Sequence, residues 1–369
     1  MTQNHPFGRV LPLNKAWLAK LPAEEALQPE LPIVDTHHHM WAQLPAALPQ
    51  GDSAEDHVYL LDAYKQDLTS GHHTVATVYM ECHASYRSDG PEEMRPVGET
   101  EFAAAQGEAS DAAQAAASEA ASDATSSSAS PGGPRVCQGI IGAADLKLGA
   151  RVRPVLEAHL QAGLGRFRGV RASAAYDPAP DMGNTISVPG SYARDDFRAG
   201  VRELTAMGLS FDAWVFHTQL PEVTALARAC PDTAIVMGHC GGPLGYGPYA
   251  GRRDEVFVQW KRSLTELAAC PNVNIKLGGM MIRLAAIDYA TLPAPPSSLE
   301  IARLWGPYIN TCIELFGPQR CMFESNFPVE KLGASWVTLW NAFKRITAGA
   351  SASEQALMFS GTAQRVYRL

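Results

Sequence analysis

The sequence predicts an α/β protein folded as one (β/α)8 TIM barrel with an N-terminal arm and a low-complexity loop insertion. Short β-branched or apolar runs alternate with stretches of helical periodicity along the 369 residues, which is the pattern of repeated strand–helix units. Eight strands close such a barrel, and a barrel of this kind needs about 250 residues. Histidines and charged residues follow several predicted strands, at the end where such barrels carry their sites.

Each predicted element has a local signal. Leu61, Tyr64 and Leu68 recur at helical spacing before a β-branched run at 74–80. Ser297 and Glu300 have the spacing of a capping box that opens a helix. The predicted strands span 32–37, 74–80, 136–146, 167–171, 209–216, 233–238, 273–277 and 320–327. The predicted helices span 57–68, 151–160, 195–207, 220–229, 256–269, 297–316, 335–347 and 353–367.

Two regions depart from this alternation. Residues 1–30 carry prolines and mixed polar residues with weak periodicity, so we expect a surface arm before a barrel domain over 31–369. From about residue 100 to 134 the chain consists mainly of Ala, Ser, Glu and Asp, with almost no large apolar residue. Such a segment buries too little apolar surface to offset its ordering entropy. We therefore predict a disordered or partly helical excursion inserted in a loop.

Composition limits the class of protein. Hydrophobic residues make up 46% and charged residues 18% of the chain, and no apolar run is long enough to span a bilayer. A net charge of -8 without a basic tract argues against nucleic acid as a partner. The first residues lack a continuous apolar stretch of the secretory type, and the seven cysteines contain no Cys-x-x-Cys pair. We expect a cytoplasmic protein with reduced thiols, and a homo-oligomer stays open.

His37 and His39 stand at the end of the first predicted strand. Residues two apart on a strand point to the same side, so the two imidazoles should converge on one point. Imidazoles so placed can bind one divalent cation or one anionic substrate group. In a closed barrel they are joined by the polar residues of the other strand ends: Glu81, His83, Arg168, Arg171, His217, His239, Lys276, Glu324 and Asn326. A lone histidine is more often a hydrogen-bonded structural residue, but several converging ones indicate a site.

Two arginines lie on the fourth predicted strand. Arg168 and Arg171 are three residues apart, so they point to opposite sides of an ideal strand. Arg171 is nearer the end of the strand and is the better candidate to bind a substrate carboxylate. With His83 and Lys276 it forms the predicted substrate-binding group. We expect a small-molecule substrate, and Arg171 favours an anionic one.

Four segments together resemble the amidohydrolase-related (amidohydrolase 2) family of the amidohydrolase superfamily, in its lactonase-like branch: DTHHHMW, HTQLPEVTALARACPDTAIVMGHCGGP, NVNIKLGG and CMFESNFPVEK. In that family the paired histidines after strand 1 are metal or substrate ligands, and they match His37 and His39. The histidines after strands 5 and 6 match His217 and His239. The candidate metal ligands are His37, His39, His217 and Glu81, with zinc the expected divalent cation. Some lactonases of this branch work without a metal, so a metal-free site stays open.

The resemblance breaks at strand 8. The family has an Asp there that takes a proton from the attacking water, whereas the matching run here is Ser325-Asn326-Phe327-Pro328. Asn326 is neutral and cannot act as a base, although its amide can orient a water. Glu324 lies two residues earlier, about 7 Å deeper on the same side of the strand. It is the candidate base, with Glu81 as the second candidate, unless a buried ion pair with Lys276 or an arginine holds it. His239 completes the predicted catalytic group.

These observations predict a metal-assisted hydrolase of a small cyclic ester or amide, with a lactone as the leading substrate. A metal held by neutral imidazoles polarises the carbonyl group and lowers the pKa of the attacking water. Two other classes stay open: a non-oxidative decarboxylase of an unsaturated or aromatic acid, and a barrel that has lost catalysis and only binds a ligand. Carbon dioxide release would indicate the decarboxylase, and activity created by Asn326→Asp would indicate the inactive barrel.

Overall fold

Eight parallel strands form the barrel sheet, and their order in the sheet is their order in the chain. They are β1 (Ile33–His38), β2 (Thr74–Met80), β3 (Arg135–Gly142), β4 (Phe167–Ser173), β5 (Ser210–Trp214), β6 (Ile235–Met237), β7 (Val273–Leu277) and β8 (Cys321–Phe323). A bridge between His38 and Phe327 joins the end of the last strand to the first. The computed structural model describes residues 14–42, 58–122, 133–179, 182, 188–280 and 292–369. The predicted TIM barrel is confirmed.

Most of the helices cover the outside of the sheet between successive strands. In the described ranges they are α1 (Lys15–Leu18), α2 (Leu61–Leu68), α3 (Val97–Ser122), α4 (Arg153–Ala162), α5 (Asp195–Ala206), α6 (Leu220–Ala229), α7 (Arg253–Ala268), α8 (Ser298–Phe316), α9 (Trp336–Ile346), α10 (Ala352–Ala356) and α11 (Thr362–Tyr367). Ser297 and Glu300 form the predicted capping box at the start of α8. Among these helices, none combines the length and the apolar character that crossing a membrane requires.

The largest difference from the prediction is α3. Residues 97–122 form a helix of 26 residues where a disordered or partly helical insertion was expected over about 100–134. After Val97, which is buried at its start, its buried residues are mostly small or polar: Glu99, Thr100, Ala103, Ala104 and Ser110. Alanine has the highest helix propensity, and its small side chain lets the helix lie close to the sheet. Up to Ser122 the segment is therefore a covering helix between β2 and β3, whereas residues 123–132 of the predicted insertion lie outside the described residues.

The described part of the arm contacts α9. Lys344 donates to the carbonyl oxygens of Leu27 and Gln28 at 2.8 and 2.7 Å. Asn341 donates to the carbonyl oxygen of Glu25 at 2.8 Å. Residues 1–13 of the predicted arm lie outside the described residues.

The C-terminal helix closes the barrel at the end where the strands begin. Val366 and Tyr367 pack on the apolar residues that fill the barrel at this level: Val34, Ala76, Val78, Ile141, Val236 and Met322. The Tyr367 hydroxyl also donates to Asp212 Oδ2 at 2.7 Å. A substrate therefore has to enter from the opposite end, where the strands finish and the predicted site residues stand.

Candidate active site

The segment after β8 is bound to the end of β1, and this brings three predicted site residues together. The backbone N–H of Asn326 donates to the carbonyl oxygen of His37, and the backbone N–H of His39 donates to the carbonyl oxygen of Phe327, both at 2.8 Å. The exposed fractions of His37, His39 and Asn326 are 2, 5 and 4%. Their side chains therefore meet in a buried position at the mouth of the barrel.

Hydrogen bonds determine which nitrogen of each imidazole carries the proton. His39 Nδ1 lies 2.8 Å from the carbonyl oxygen of Met80, which can only accept, so Nδ1 is protonated. Arg171 Nη1 can only donate and lies 3.4 Å from His37 Nε2, so His37 Nε2 carries a lone pair and the ring proton sits on Nδ1, 2.8 Å from Glu324 Oε2. Burial holds the pKa of both histidines well below 6.5, so neither ring gains a second proton at neutral pH. Both Nε2 atoms therefore present lone pairs.

These lone pairs converge with a third one from Asn326. The Nε2 atoms of His37 and His39 lie 3.1 Å apart, and Asn326 Oδ1 lies 3.3 Å from His39 Nε2. The Asn326 oxygen belongs on this side because Nδ2 donates to Glu330 Oε1 at 3.3 Å. Facing lone pairs repel unless a cation lies between them, and two nitrogens bound to one tetrahedral zinc lie about 3.3 Å apart. The residues present therefore fit a divalent cation at this point.

Glu324 lies behind these ligand atoms and binds two histidines. Its Oε2 contacts His37 Nδ1 at 2.8 Å, and its Oε1 accepts from Nδ1 and the amide of His239 at 2.7 and 2.9 Å. Burial alone would raise the pKa of this carboxyl group, but contacts with His239 and His37 hold it well below 4.5. Glu324 is therefore an ionised acceptor, and its partners are histidines rather than the predicted lysine or arginine.

The position of a cation relative to Glu324 follows from these distances. Potential ligand atoms of His37, His239 and Glu324 lie within 4.8 Å of one another. The contacts of the carboxylate with the two Nδ1 atoms are nevertheless of hydrogen-bond length, 2.7 and 2.8 Å. A cation fits better on the Nε2 side, with Glu324 as the carboxylate that orients the ligands from behind.

His239 has the features of a proton acceptor. Because its Nδ1 is bound to Glu324, its Nε2 is the nitrogen that can meet a water or a substrate. The ring lies 4.8 Å from that of His37 and 4.7 Å from that of Trp214, measured between centroids. An imidazole with a carboxylate on its far nitrogen can take a proton, since the carboxylate stabilises the imidazolium that forms.

Arg171 reaches the site but is neutralised there. Its Nε donates to Glu81 Oε1 at 2.7 Å, and its Nη2 donates to the Glu81 carbonyl oxygen. Its Nη1 lies 3.4 Å from His37 Nε2.

His83 stands at the rim, where its side chain is 64% exposed and 3.7 Å from Glu81 Oε2. Arg168 instead donates to backbone carbonyls at the start of β4 at 2.6 and 3.1 Å, on the far side that its spacing predicts.

Lys276, which was predicted to bind the substrate, lies deeper in the barrel than the histidines of the site. It pairs in the sheet with Met322, two residues before Glu324. Its Nζ contacts Asp212 Oδ2 at 3.0 Å and donates to the Thr36 carbonyl oxygen at 2.8 Å. A fully buried lysine with these partners lies deeper in the barrel than the mouth, and its role in substrate binding stays a prediction.

Two predicted metal ligands also take other partners. His217 packs on Tyr249 with 5.2 Å between ring centroids, and the Leu244 amide donates to its Nδ1 at 3.4 Å. The carboxylate of Glu81 pairs with Arg171 at 2.7 Å. Neither residue belongs to the converging group of His37, His39 and Asn326, and their roles as metal ligands stay predictions.

Sequence reasoning missed two buried carboxylates that hold the site together. Glu330 accepts from Asn326 Nδ2, and Asp35 accepts the amide and the hydroxyl of Ser325 at 2.8 and 2.7 Å. Asp35 carried a usable signal, because it lies two residues before His37 and therefore on the same side of β1. Glu330 follows the strand in a turn, where no periodicity points to a partner.

A (β/α)8 barrel with buried histidines and a carboxylate at the ends of its strands is the architecture of a barrel hydrolase. The chain belongs to the amidohydrolase family, whose sequence profile matches residues 34–369.

Two individual relatives match part of this chain at about one-third identity. The uncharacterized protein y4mH of Sinorhizobium fredii is 34% identical over 232 residues, which cover 63% of this chain and 70% of that protein. An L-fucono-1,5-lactonase of Burkholderia multivorans is 32% identical over 175 residues, 47% of this chain and 56% of the lactonase. The chain thus spans little more than half the length of that lactonase.

A solved amidohydrolase from Burkholderia multivorans shares the fold. Its structure with bound HEPES has a TM-score of 0.65 and 24% identity, over 91% of this chain and 99% of that chain. A second crystal form of it, with bound zinc, has a TM-score of 0.62 and 23% identity over the same shares.

Proposed function

We propose that the protein hydrolyses the ring ester of a small hydroxylated lactone, with a divalent cation, zinc as the leading candidate, held by His37, His39 and Asn326. The observation that carries this proposal is the convergence of three lone pairs, at 3.1 and 3.3 Å, in a buried position at the barrel mouth. The resemblance to an L-fucono-1,5-lactonase supports a cyclic ester as the substrate class. A cation bound there would polarise the ester carbonyl group and make a coordinated water more acidic.

The chain itself supplies the proton acceptor. His239 Nε2 takes the proton of the attacking water, and Glu324 stabilises the resulting imidazolium through its 2.7 Å contact with Nδ1. The same imidazole can return the proton to the ring oxygen as the ester bond breaks. This assignment changes the predicted role of Glu324, because its Oε1 accepts from His239 and its Oε2 lies 2.8 Å from His37 Nδ1.

Arg171 defines the charge of the substrate. Its Nη1 points towards the ligand nitrogens and can donate to the carbonyl oxygen of the lactone, where negative charge develops. Because Glu81 neutralises it through a 2.7 Å ion pair, Arg171 offers no net attraction to a substrate carboxylate. We therefore expect a neutral lactone in place of the anionic substrate first predicted.

Product analysis tests the proposal. Purified protein supplied with zinc and a five- or six-membered sugar lactone should release one acid per ring opened, measured by continuous titration at constant pH. His239→Gln should abolish this activity, whereas His73→Gln, the same change at a half-buried position away from the mouth, should keep it. Carbon dioxide release from an unsaturated or aromatic acid, or no turnover of any lactone, would contradict it.

A further inference from the structure

A cavity of about 640 Å³ lies at the barrel mouth between the segments that follow β4, β5 and β6. Tyr176, Asp177, Thr218 and Tyr249 contribute to its wall. Of the eight described residues that line it, Asp177 alone carries a charge. The proposed hydrolysis uses none of these side chains, so it assigns the cavity no role.

Asp177 is fixed in the wall as an acceptor. Its exposed fraction is 4%. Oδ2 accepts from the Tyr249 hydroxyl at 2.7 Å, and Oδ1 accepts from the Ala179 amide at 2.9 Å. A carboxylate in this position repels anions and accepts from the hydroxyl groups of a neutral ligand. The rings of Tyr176 and Tyr249 add apolar faces with polar tips, which suit the mixed surface of a sugar ring.

His217 supplies a donor beside this wall. Because the Leu244 amide donates to its Nδ1 at 3.4 Å, the proton of the neutral ring belongs on Nε2. The ring is fully buried, and Nε2 has no hydrogen-bond partner among the described residues. A buried N–H group without a partner is costly, so a ligand oxygen that reaches it gains a hydrogen bond. His217 lies against Tyr249, whose ring lines the cavity.

We infer that this cavity is a subsite for the hydroxylated, uncharged part of a ligand, with Asp177 and Tyr249 binding its hydroxyl groups and His217 Nε2–H donating to a ligand oxygen. The inference rests on the proposed lactone hydrolysis for the identity of the substrate, but binding alone can test it. It assigns His217 to the ligand instead of the cation. It also predicts that hydroxyl groups, and not the ester ring by itself, determine affinity.

The binding experiment uses two rings that contain no ester. 1,5-Anhydroglucitol has a hydroxylated six-membered ring, and tetrahydropyran has the same ring without hydroxyl groups. Binding of each to the full chain is measured by ligand-observed NMR for the wild type, Asp177→Asn, Tyr249→Phe and Tyr308→Phe. Tyr308→Phe is the matched control, because it removes the same hydroxyl group on α8, where Oη has no hydrogen-bond partner among the described residues.

The wild type and Tyr308→Phe should bind the polyol with the same affinity and prefer it to tetrahydropyran. Asp177→Asn and Tyr249→Phe should each weaken polyol binding about tenfold, the value of one hydrogen bond. His217→Phe should weaken it similarly and leave the zinc content unchanged. Absence of polyol binding by the wild type, or equal affinities across the variants, would overturn the subsite.

Kinetics with the same variants separate the two proposals. For a hydroxylated lactone, Asp177→Asn and Tyr249→Phe should raise KM about tenfold, whereas the constants for unsubstituted δ-valerolactone should not change. If the wild type opens both lactones and the variants alter neither, the subsite fails and the hydrolase stands. If the wild type binds the polyol as expected but opens no lactone, the hydrolase fails and the subsite stands.

Discussion

Glu324 shows how far a single residue can be interpreted from sequence. Its position on the inner side of β8 follows from the two-residue period, and the structure places it there, fully buried. Its partners do not follow, because lysine, arginine and histidine all reach the barrel interior from other strands. Only the distances of 2.7 and 2.8 Å to His239 and His37 show that each of its oxygens lies against a histidine ring.

The first prediction concerns Glu324→Gln. The glutamine side chain has one acceptor oxygen where glutamate has two, so one of the two histidines loses its acceptor. The proton of that ring is then no longer held on Nδ1, and its Nε2 need not keep a lone pair. We expect kcat to fall by about 10² or more and zinc affinity to fall by about 10-fold to 100-fold. Steady-state kinetics and zinc titration measure both effects. Glu255→Gln, at an exposed position on α7, should change neither, and a Glu324→Gln enzyme with wild-type kcat would contradict the assigned role.

The second prediction concerns Asn326→Asp. The new carboxylate adds charge to the cation site, so zinc should bind more tightly. It also replaces the 3.3 Å contact of Nδ2 with Glu330 by repulsion between two buried carboxylates. We expect a loss of about 1–3 kcal/mol in the free energy of unfolding of the apo protein. Denaturant unfolding should show that the added change Glu330→Gln restores most of this loss, and additive losses in the double variant would contradict the contact.

At the scale of elements, the helices and strands with large apolar residues were predictable and α3 was not. Its sequence lacks the apolar stripe that marks a packed helix, since most of its buried residues are Ala, Thr, Ser and Glu. Composition therefore indicated disorder, although alanine both favours the helix and permits close packing. Specific contacts complete the helix, because Thr100 bonds to His159 at 2.8 Å and Asp111 to Arg166 at 2.6 Å.

The third prediction concerns Gly107→Ala in α3 and the direction in which it changes the free energy of unfolding. In an exposed helix Gly→Ala stabilises by about 0.5–1 kcal/mol. At Gly107 a Cβ atom would lie 2.9 Å from Arg166 Nη1 and 3.1 Å from the Val136 carbonyl oxygen. Gly107→Ala should therefore lower the free energy of unfolding, measured by denaturant titration. Ser118→Ala, at an exposed position of the same helix, should raise it slightly, and stabilisation by Gly107→Ala would mean that α3 does not pack on the barrel.

At the scale of the whole molecule, alternation along the sequence predicted the barrel, its strand order and the end that carries the site. The details of the mouth could not be predicted, because they depend on which side chains from different strands meet there. Arg171 was expected to be available to a substrate, yet Glu81 from β2's end neutralises it. Lys276 was expected at the mouth, yet Asp212 and Tyr367 hold it inside the barrel.

The fourth prediction is a loss of stability in mild acid. Burial lowers the pKa of His72, His159 and His217 to about 4 and that of His38 to about 3. The unfolded chain, with histidine pKa values near 6.5, then binds more protons, so this stability is present above about pH 6.5 and is lost as the pH falls towards 4. Burial raises the pKa of Asp35 to about 6 and that of Glu99 to about 7, which has the opposite effect. Because the histidines outnumber these carboxyl groups, we expect a net loss of stability as the pH falls.

Denaturant unfolding at about pH 7.5 and about pH 5 checks this balance. We expect a lower midpoint at the acidic pH, with a free energy of unfolding reduced by about 2–4 kcal/mol. His159→Gln keeps a polar side chain between Thr100 and Ala143 but cannot be protonated, so it should show a smaller pH dependence. Equal midpoints at the two pH values would contradict the expected excess of the histidine effect over that of the carboxyl groups.

The most direct measurement is anomalous diffraction at the zinc edge from crystals grown with zinc. We expect one peak about 2.0–2.2 Å from both the His37 and His39 Nε2 atoms and from Asn326 Oδ1, with Glu324 still in contact with the Nδ1 atoms of His37 and His239. A zinc ion bound instead by Glu324, or no ion near His37 and His39 at millimolar zinc, would contradict the central claim.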